Sequence, residues 1–166
     1  MDASLWNFLY SLFLTLHNLI RWLVIGFAVL ALARAYRGWT KKLDWQPGDN
    51  RAGLIFTSAL DLQVLLGLVL YFLFSPFTAR IFANFAGAMK DTNTSFFGVE
   101  HLFGMLVAMG LAHAGRAIAR KAKGGGNQHK AIAIWFTISV LVILLSIPWP
   151  FLAYGRPLLR LFGLTM

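Results

Sequence analysis

Six ionisable residues lie inside otherwise apolar stretches of the chain and are the first candidates for chemistry. A charged side chain at bilayer depth costs about 2.5–3.5 kcal/mol for Asp, Lys or Arg on insertion scales, so each needs a partner or a use. An imidazole can ligate a metal or carry a proton, a carboxylate can carry a proton, and a guanidinium can bind an anion. The six residues are His17, Arg21, Asp61, Glu100, His101 and His113.

Four long apolar runs must position these side chains. The chain has 166 residues, of which 58% are hydrophobic and 13% charged, and its mean hydropathy of +0.67 excludes an ordinary soluble domain. A membrane-spanning helix needs about 20 mostly apolar residues. We therefore expect an all-α integral membrane four-helix bundle that forms one domain over 1–166. The predicted spans are approximately 7–35, 52–74, 95–118 and 130–147.

Two further segments are apolar but too short to span. Segment 75–89 begins with a serine that can cap a helix and a proline suited to its first turn, and its large apolar residues recur every four positions. This pattern predicts a short interfacial helix on the outer face. The tail 157–164 is similarly apolar, and we expect it to need support from a partner.

The basic residues predict the orientation of the bundle, because Lys and Arg near span ends are retained in the cytoplasm. Ten lie in the two connections that share one side: Arg34, Arg37, Lys41, Lys42, Arg51, Arg116, Arg120, Lys121, Lys123 and Lys130. Four lie on the other side: Arg80, Lys90, Arg156 and Arg160. The sequence therefore predicts a bacterial cytoplasmic (inner) membrane protein with both termini on the non-cytoplasmic side.

Composition also removes several classes of function. The net charge of +9 is mostly a topology signal, so no nucleic-acid partner is expected. The chain has no cysteine, which excludes disulfides, thiolate metal sites, iron–sulfur clusters and covalently attached haem. Phosphate-binding loops, zinc-protease motifs and a serine–histidine–acid arrangement are also missing, so hydrolysis and phosphoryl transfer have little support.

His17 and His101 are predicted at matching depth. At about 1.5 Å per residue, His17 lies roughly 8 Å and His101 roughly 6 Å below the outer boundary, on two helices that both run inward. One imidazole from each of two facing helices at one level is the requirement for a bis-histidine haem b, whose iron they would ligate axially. Two alternatives stay open, a hydrogen-bonded structural pair and a proton or substrate path.

Arg21 lies one turn deeper than His17 on the same face and could pair with a haem propionate or a buried carboxylate. We expect a structural ion pair between Arg21 and Asp61, because each would neutralise the other. The alternative is that Asp61 belongs to a proton route, although Gln63, two positions on, faces away from it. Glu100 lies about 100° around the helix from His101, where it could line a quinol or proton entrance or be solvated.

The remaining two histidines offer a weaker possibility. His113 lies toward the cytoplasmic side and could pair with His129 at the start of the fourth span, which would form a second haem site. His129 follows a glycine-rich loop, however, and we expect it to be exposed to solvent. Both residues could equally be interfacial polar groups.

Four segments carry a resemblance to a known group of proteins: LHNLIRW (16–22), VEHLFGM (99–105), HKAIAIWF (129–136) and IPWPF (147–151). They resemble a group of small bacterial four-span proteins described as cytochrome b-like. The arrangement is similar, more remotely, to the HemJ-type protoporphyrinogen oxidases, but too little of that pattern is present to imply the oxidase activity. The resemblance implies that His17 and His101 are axial ligands and that Arg21 and Glu100 are adjacent site residues.

Two hypotheses follow. The first is a haem b-binding membrane protein that transfers electrons between a quinone or an outer-face donor and other membrane subunits of a redox complex. The second is a haem-free accessory subunit of a larger respiratory or photosynthetic complex. Both are favoured over an independent enzyme. A small proton-coupled transporter is a third possibility, but four spans lack the paired broken helices that transporter sites often use.

Overall fold

The computed structural model describes residues 2–162 and 164–165, and it confirms the predicted all-α architecture. Two π-helical segments, Leu70–Phe74 and Phe96–Glu100, interrupt the α-helical pattern, and two short antiparallel strands, β1 and β2, lie near the C-terminus. The helices are α1 (Ala3–Thr40), α2 (Pro47–Val69), α3 (Pro76–Ala83), α4 (Phe85–Ala88), α5 (Thr92–Ser95), α6 (His101–Lys121) and α7 (Gly125–Ser146). The strands are Arg160–Leu161 and Leu164–Thr165.

Among the described residues, four helical stretches are long and apolar enough to cross a membrane. Each begins before or ends after the apolar run that predicted it, because a helix continues through charged residues until a turn stops it. The first continues through Arg37 to Thr40, and Lys42 then adopts a positive φ of 51°. The four stretches are Ser4–Thr40, Pro47–Phe74, Thr92–Lys121 and Gly125–Ser146.

The four long helices pack antiparallel in a ring, in the order α1, α2, α6 and α7. One half of the bundle has a close-packed core in which Phe56 of α2 meets Phe136 of α7 edge to face, with ring centres 4.9 Å apart. Ala108 and Ala112 of α6 are fully buried there, and Ser139 of α7 donates to the Ala108 carbonyl at 2.7 Å. Small residues let these helices approach closely.

The two basic connections lie side by side at the end of the bundle nearest this core. A side chain at Gly125 would come within 2.6 Å of the Leu43 carbonyl oxygen, so the α1–α2 and α6–α7 turns touch. Asp49 in the first turn of α2 pairs with Arg34 of α1 at 2.8 Å. The basic residues therefore gather at one end of the molecule.

At the opposite end, segment 75–89, predicted as one short helix, forms two: α3 ends at Ala83, Asn84 is extended, and α4 follows. The Ser75 hydroxyl accepts from the Thr78 amide, and Pro76 occupies the first turn. Ile81 is buried against Gly98, where any added side chain would overlap it. Helix α3 therefore packs on the second π-helical segment.

Helix α7 ends at Ser146, and residues 147–162, which we call the strap, continue across the bundle end from α6 to α1. On the α6 side, the Tyr154 ring stacks on Phe96 at 3.7 Å between ring centres. On the α1 side, the Leu158 carbonyl accepts from Arg21 at 2.5 Å and from the Trp22 indole at 3.0 Å. The tail 157–164 was predicted to need support from a partner. In the structure its residues Leu158 and Arg160 form hydrogen bonds with α1 of the same chain.

Candidate functional site

A cavity of about 460 Å³ lies in the half of the bundle covered by the strap. This volume is within the range of about 300–1,000 Å³ that is usual for small-molecule and cofactor sites. Its walls are mostly aliphatic and aromatic, and its polar groups come from α1, α2, the first π-helical segment, the residue before α3, α6 and the strap. The polar side chains that line it are Tyr10, His17, Asn18, Arg21, Gln63, Tyr71, Ser75, His101, Arg156 and Arg160.

His17 and His101 both line this cavity, as their matched depth predicted. Their ring centres are 6.2 Å apart and their planes meet at 74°. An imidazole nitrogen binds a first-row metal at about 2 Å and lies about 1 Å from its ring centre, so two imidazoles on opposite sides of one metal have centres about 6 Å apart. The separation of the two rings therefore fits axial ligation of a single metal ion.

The imidazole of His101 is fixed by the end of α7. Its Nδ1 lies 2.7 Å from the Ser146 carbonyl oxygen, to which it donates. Helix α7 can come this close because Gly104 of α6 has no side chain, and a Cβ at that position would overlap the Ser146 hydroxyl. Metal-ligating histidines usually donate their second N–H in this way. The bond leaves Nε2 of His101 as the nitrogen with a lone pair, which could bind a metal ion.

The imidazole of His17 is held from α2. Its Nε2 lies 3.2 Å from Gln63 Nε2, while His17 Nδ1 and Gln63 Oε1 are buried without a hydrogen-bond partner among the described residues. Gly67, one turn along α2, leaves room for the ring, because a Cβ there would lie 3.2 Å from His17 Cε1. The Gln63 NH2 group can only donate, so His17 Nε2 accepts this bond and Nδ1 carries the proton of the neutral ring. With the amide turned by 180°, Gln63 Oε1 would accept from the Nε2–H of His17, and Nδ1 would keep its lone pair.

Since each imidazole bonds a different partner, the hydrogen-bonded His17–His101 pair considered from the sequence is not formed. A buried nitrogen without a partner costs about 1–3 kcal/mol, which a ligand in the cavity would recover. The two rings thus line the same cavity without bonding each other.

Three arginines bring positive charge to the cavity. Arg21 extends from α1 to the strap, and Arg156 and Arg160 come from the strap itself. The Arg156 guanidinium lies 4.7 Å from the centre of the Phe97 ring, and Arg160 Nε is buried without a partner among the described residues. Guanidinium groups bind carboxylates with paired hydrogen bonds, so this end of the cavity suits an anionic group.

Both π-helical segments border the cavity. The Tyr71 hydroxyl of the first donates to the Gly98 carbonyl of the second at 2.9 Å, which ties the two together. Phe96 and Phe97 place their rings 5.9 and 6.4 Å from that of His101. Single π-helical turns inside α-helices are frequent at functional sites.

The predicted Arg21–Asp61 ion pair is wrong. Arg21 turns toward the strap and bonds the Leu158 carbonyl, whereas Asp61 bonds His113 of α6 at 2.7 Å. The two residues face different neighbours because Arg21 shares the His17 face of α1 and Asp61 faces the seam between α2 and α6. Depth alone did not determine which residue pairs with which.

The structure does not place Glu100 on the cavity. Its side chain is exposed and accepts a hydrogen bond from the Ser95 hydroxyl at 2.6 Å. Glu100 closes the second π-helical segment, where it points away from the His101 ring. Its predicted role next to a cofactor gains no geometric support.

His113 and His129 have separate neighbours, and the structure does not bring them together as a second site. His113 bonds Asp61, while His129 packs between the α1 and α2 ends, with its ring centre 4.8 Å from that of Trp45 and its Nε2 3.8 Å from Asp49. The expectation that His129 is exposed is wrong, since its side chain is only 2% accessible. The loops at this end fold over it.

Seven polar residues that line the cavity were not predicted as site residues: Tyr10, Asn18, Gln63, Tyr71, Ser75, Arg156 and Arg160. A glutamine inside an apolar run was a usable signal for Gln63, because an amide in a span also needs a partner. The strap has no helical periodicity, so nothing in the sequence related its arginines to a histidine pair.

No protein-family model, curated protein or solved structure matches this chain. Among the described residues no group of three or more His, Asp or Glu is arranged to hold a metal ion. His17 and His101 offer two ligands, and a haem supplies its own equatorial ones.

Proposed function

We propose that the protein is a haem b-binding membrane protein that transfers electrons, with His17 and His101 as the axial ligands. The observation that carries the proposal is the 6.2 Å separation of the two rings across a cavity that both of them line. A haem bound there would supply a one-electron redox centre.

The residues present fit that cofactor in three respects. Ser146 and Gln63 hold one nitrogen of each imidazole, which sets ring orientation. The aliphatic walls would exclude water from around a bound haem, which is one way a protein sets a redox potential. The apolar lining includes Leu14, Val24, Val64, Leu102, Met105 and Ile143.

The arginines fit the two carboxylates of a haem. Arg21, Arg156 and Arg160 all lie on the strap side, so they would direct the propionates toward that end of the bundle. Electron exchange would then take place near the outer face, with a quinone or an outer-face donor. Other membrane subunits of a redox complex would receive or supply the electrons.

The location of the protein is part of the same proposal. The basic end of the bundle would lie in the cytoplasm of a bacterium, and the strap and both termini would lie on the other side of the inner membrane. The cavity would then open toward the outer leaflet, where quinones and outer donors are accessible.

Absorption spectroscopy of the purified protein tests the proposal. The chain is expressed with added haem precursor, solubilised in mild detergent and compared with His17→Ala and His101→Ala variants. We expect a Soret band and a sharp reduced α band for the parent protein, and loss of this six-coordinate spectrum in both variants. His113→Ala is the matched control, because His113 bonds Asp61 outside the cavity and its removal should leave the spectrum intact.

A protein that takes up no haem when correctly folded would overturn the proposal and favour the haem-free accessory subunit. An unchanged spectrum in the His17→Ala and His101→Ala variants would also overturn it, since the haem would then be held elsewhere.

A further inference from the structure

A hydrogen-bonded pair of ionisable side chains lies on the outside of the bundle at membrane depth. Asp61 is at the middle of the stretch Pro47–Phe74, and its Oδ1 lies 2.7 Å from His113 Nε2. The two side chains are 46% and 48% exposed. Neither belongs to the cavity or to the proposed haem site.

Such exposure is unfavourable in a single copy of the chain. Ionisable groups within spans normally face the bundle interior or a water-filled space, because lipid offers them no hydrogen bonds. Leu60, Ala108 and Ala112 of the same two helices belong to the buried apolar core, and neither Asp61 nor His113 is among the residues that line the cavity.

The surroundings of the pair form a surface that another helix could approach. We define the α2–α6 face as Asp61 and His113 together with the exposed residues Leu62 and Leu65 of α2 and Leu106 and Gly110 of α6. Gly110 lies one turn from His113, and a Cβ built on it meets nothing within 4 Å. A glycine on an open helix face lets a second backbone come close in a membrane.

The charges on this face identify its partner. An acid, Asp61, stands beside an imidazole and, one turn further along α6, the Arg116 guanidinium, which donates to Thr57 of α2 at 3.0 Å. A patch that holds both signs side by side is complementary to its own copy related by a two-fold axis. A partner of one charge sign would leave half of the patch unmatched.

We propose that the α2–α6 face joins two copies of this chain in a symmetric dimer, in which Asp61 of each copy meets the basic groups of the other. The interface covers the exposed pair and brings the open Gly110 positions near the axis. It is independent of haem binding, because none of its residues lines the cavity.

Cysteine cross-linking tests this arrangement directly, since the chain has no native cysteine. Gly110→Cys and the matched control Gly26→Cys, on α1, both replace an exposed helical glycine whose Cβ meets nothing within 4 Å. Both variants are treated with an oxidant in native membranes and in lipid nanodiscs. We expect Gly110→Cys to form a disulfide-linked dimer and Gly26→Cys to remain a monomer that is not cross-linked. Equal cross-linking of the two variants, or linkage of Gly110→Cys only to a different protein, would overturn the proposal.

Dimer dissociation gives a second measurement. The double variant Asp61→Ala/His113→Ala removes both partners, so no unpaired charge remains to unfold the helix pair. We expect the dissociation constant of its dimer in nanodiscs to rise about tenfold. This is the change expected when about two interhelical hydrogen bonds are lost in a membrane. A parent protein that is monomeric at every protein-to-lipid ratio, or a double variant that dimerises unchanged, contradicts the proposed interface.

Discussion

Gln63 of α2 holds the imidazole of His17 of α1, with 3.2 Å between the Nε2 atoms of the two side chains. Gln63 is buried, and its amide is the polar group that reaches His17 from another helix. With the amide turned so that Gln63 Oε1 accepts from the Nε2–H of His17, this bond would fix the ring of a ligating histidine and adjust its basicity. Gln63 is thus a positioning residue for the proposed haem ligand.

We expect Gln63→Leu to weaken haem binding by about 10- to 100-fold, the usual effect of removing such a partner of a metal ligand. The haem that still binds should keep the spectrum of a six-coordinate iron, because His17 and His101 are unchanged. Haem titration followed at the Soret band measures both the haem affinity and the spectrum of the bound haem. Gln128→Leu is the control, since Gln128 lies at the start of α7 away from the cavity; equal affinities for the two variants would contradict the role of Gln63.

The arginines of the strap give a prediction about the carboxylates of the ligand. Arg156→Gln and Arg160→Gln should weaken binding of haem but not of haem dimethyl ester, whose propionates carry no charge. A charge-assisted hydrogen bond contributes about 1.5–3 kcal/mol, so each substitution should cost about tenfold or more in haem affinity. Parallel titrations with the two haems measure the difference.

Arg80→Gln is the matched control, because Arg80 lies on α3 at the same end of the bundle and does not line the cavity. Its haem and ester affinities should equal those of the parent. If the parent binds haem and its ester equally well, the arginines do not bind the propionates.

The sequence predicted the helices and the level of the histidine pair because both depend on residue spacing along one helix. It did not predict side-chain pairing across helices, which depends on how each helix is rotated. Gln63 faces away from Asp61, and this orientation, read as an argument against a proton route, is what directs it to His17. The same rotation sends Arg21 to the strap rather than to Asp61.

Single cysteines test the proposed orientation in the membrane. Lys90→Cys lies on the strap side and Lys123→Cys at the basic end, and the cysteine-free chain gives no background. In right-side-out spheroplasts, a membrane-impermeant maleimide should label Lys90→Cys, and Lys123→Cys only after lysis. The reverse pattern would place the cavity toward the cytoplasm.

A pair of glycines on α1 tests the packing of the basic end. A Cβ at Gly38 would overlap the buried His129 ring, which also packs on Trp45, whereas a Cβ at Gly26 meets nothing within 4 Å. Overpacking a filled site costs about 1–3 kcal/mol, and the helix preference for alanine offsets up to about 1 kcal/mol of it, so Gly38→Ala should lower the free energy of unfolding by about 1–2 kcal/mol. Alanine is favoured over glycine within a helix by about 0.8–1 kcal/mol, so Gly26→Ala should be neutral or stabilising.

Thermal unfolding in one detergent compares the stabilities of Gly38→Ala and Gly26→Ala. The double variant Gly38→Ala/His129→Ala, measured beside the single variant His129→Ala, then tests whether the two positions are in contact. Removing the ring that the new methyl group overlaps should recover part of the stability lost in Gly38→Ala, because the two changes act at one contact. If Gly38→Ala is as stable as the parent, or if the effects of the two substitutions simply add, His129 does not pack against Gly38 as the structure has it.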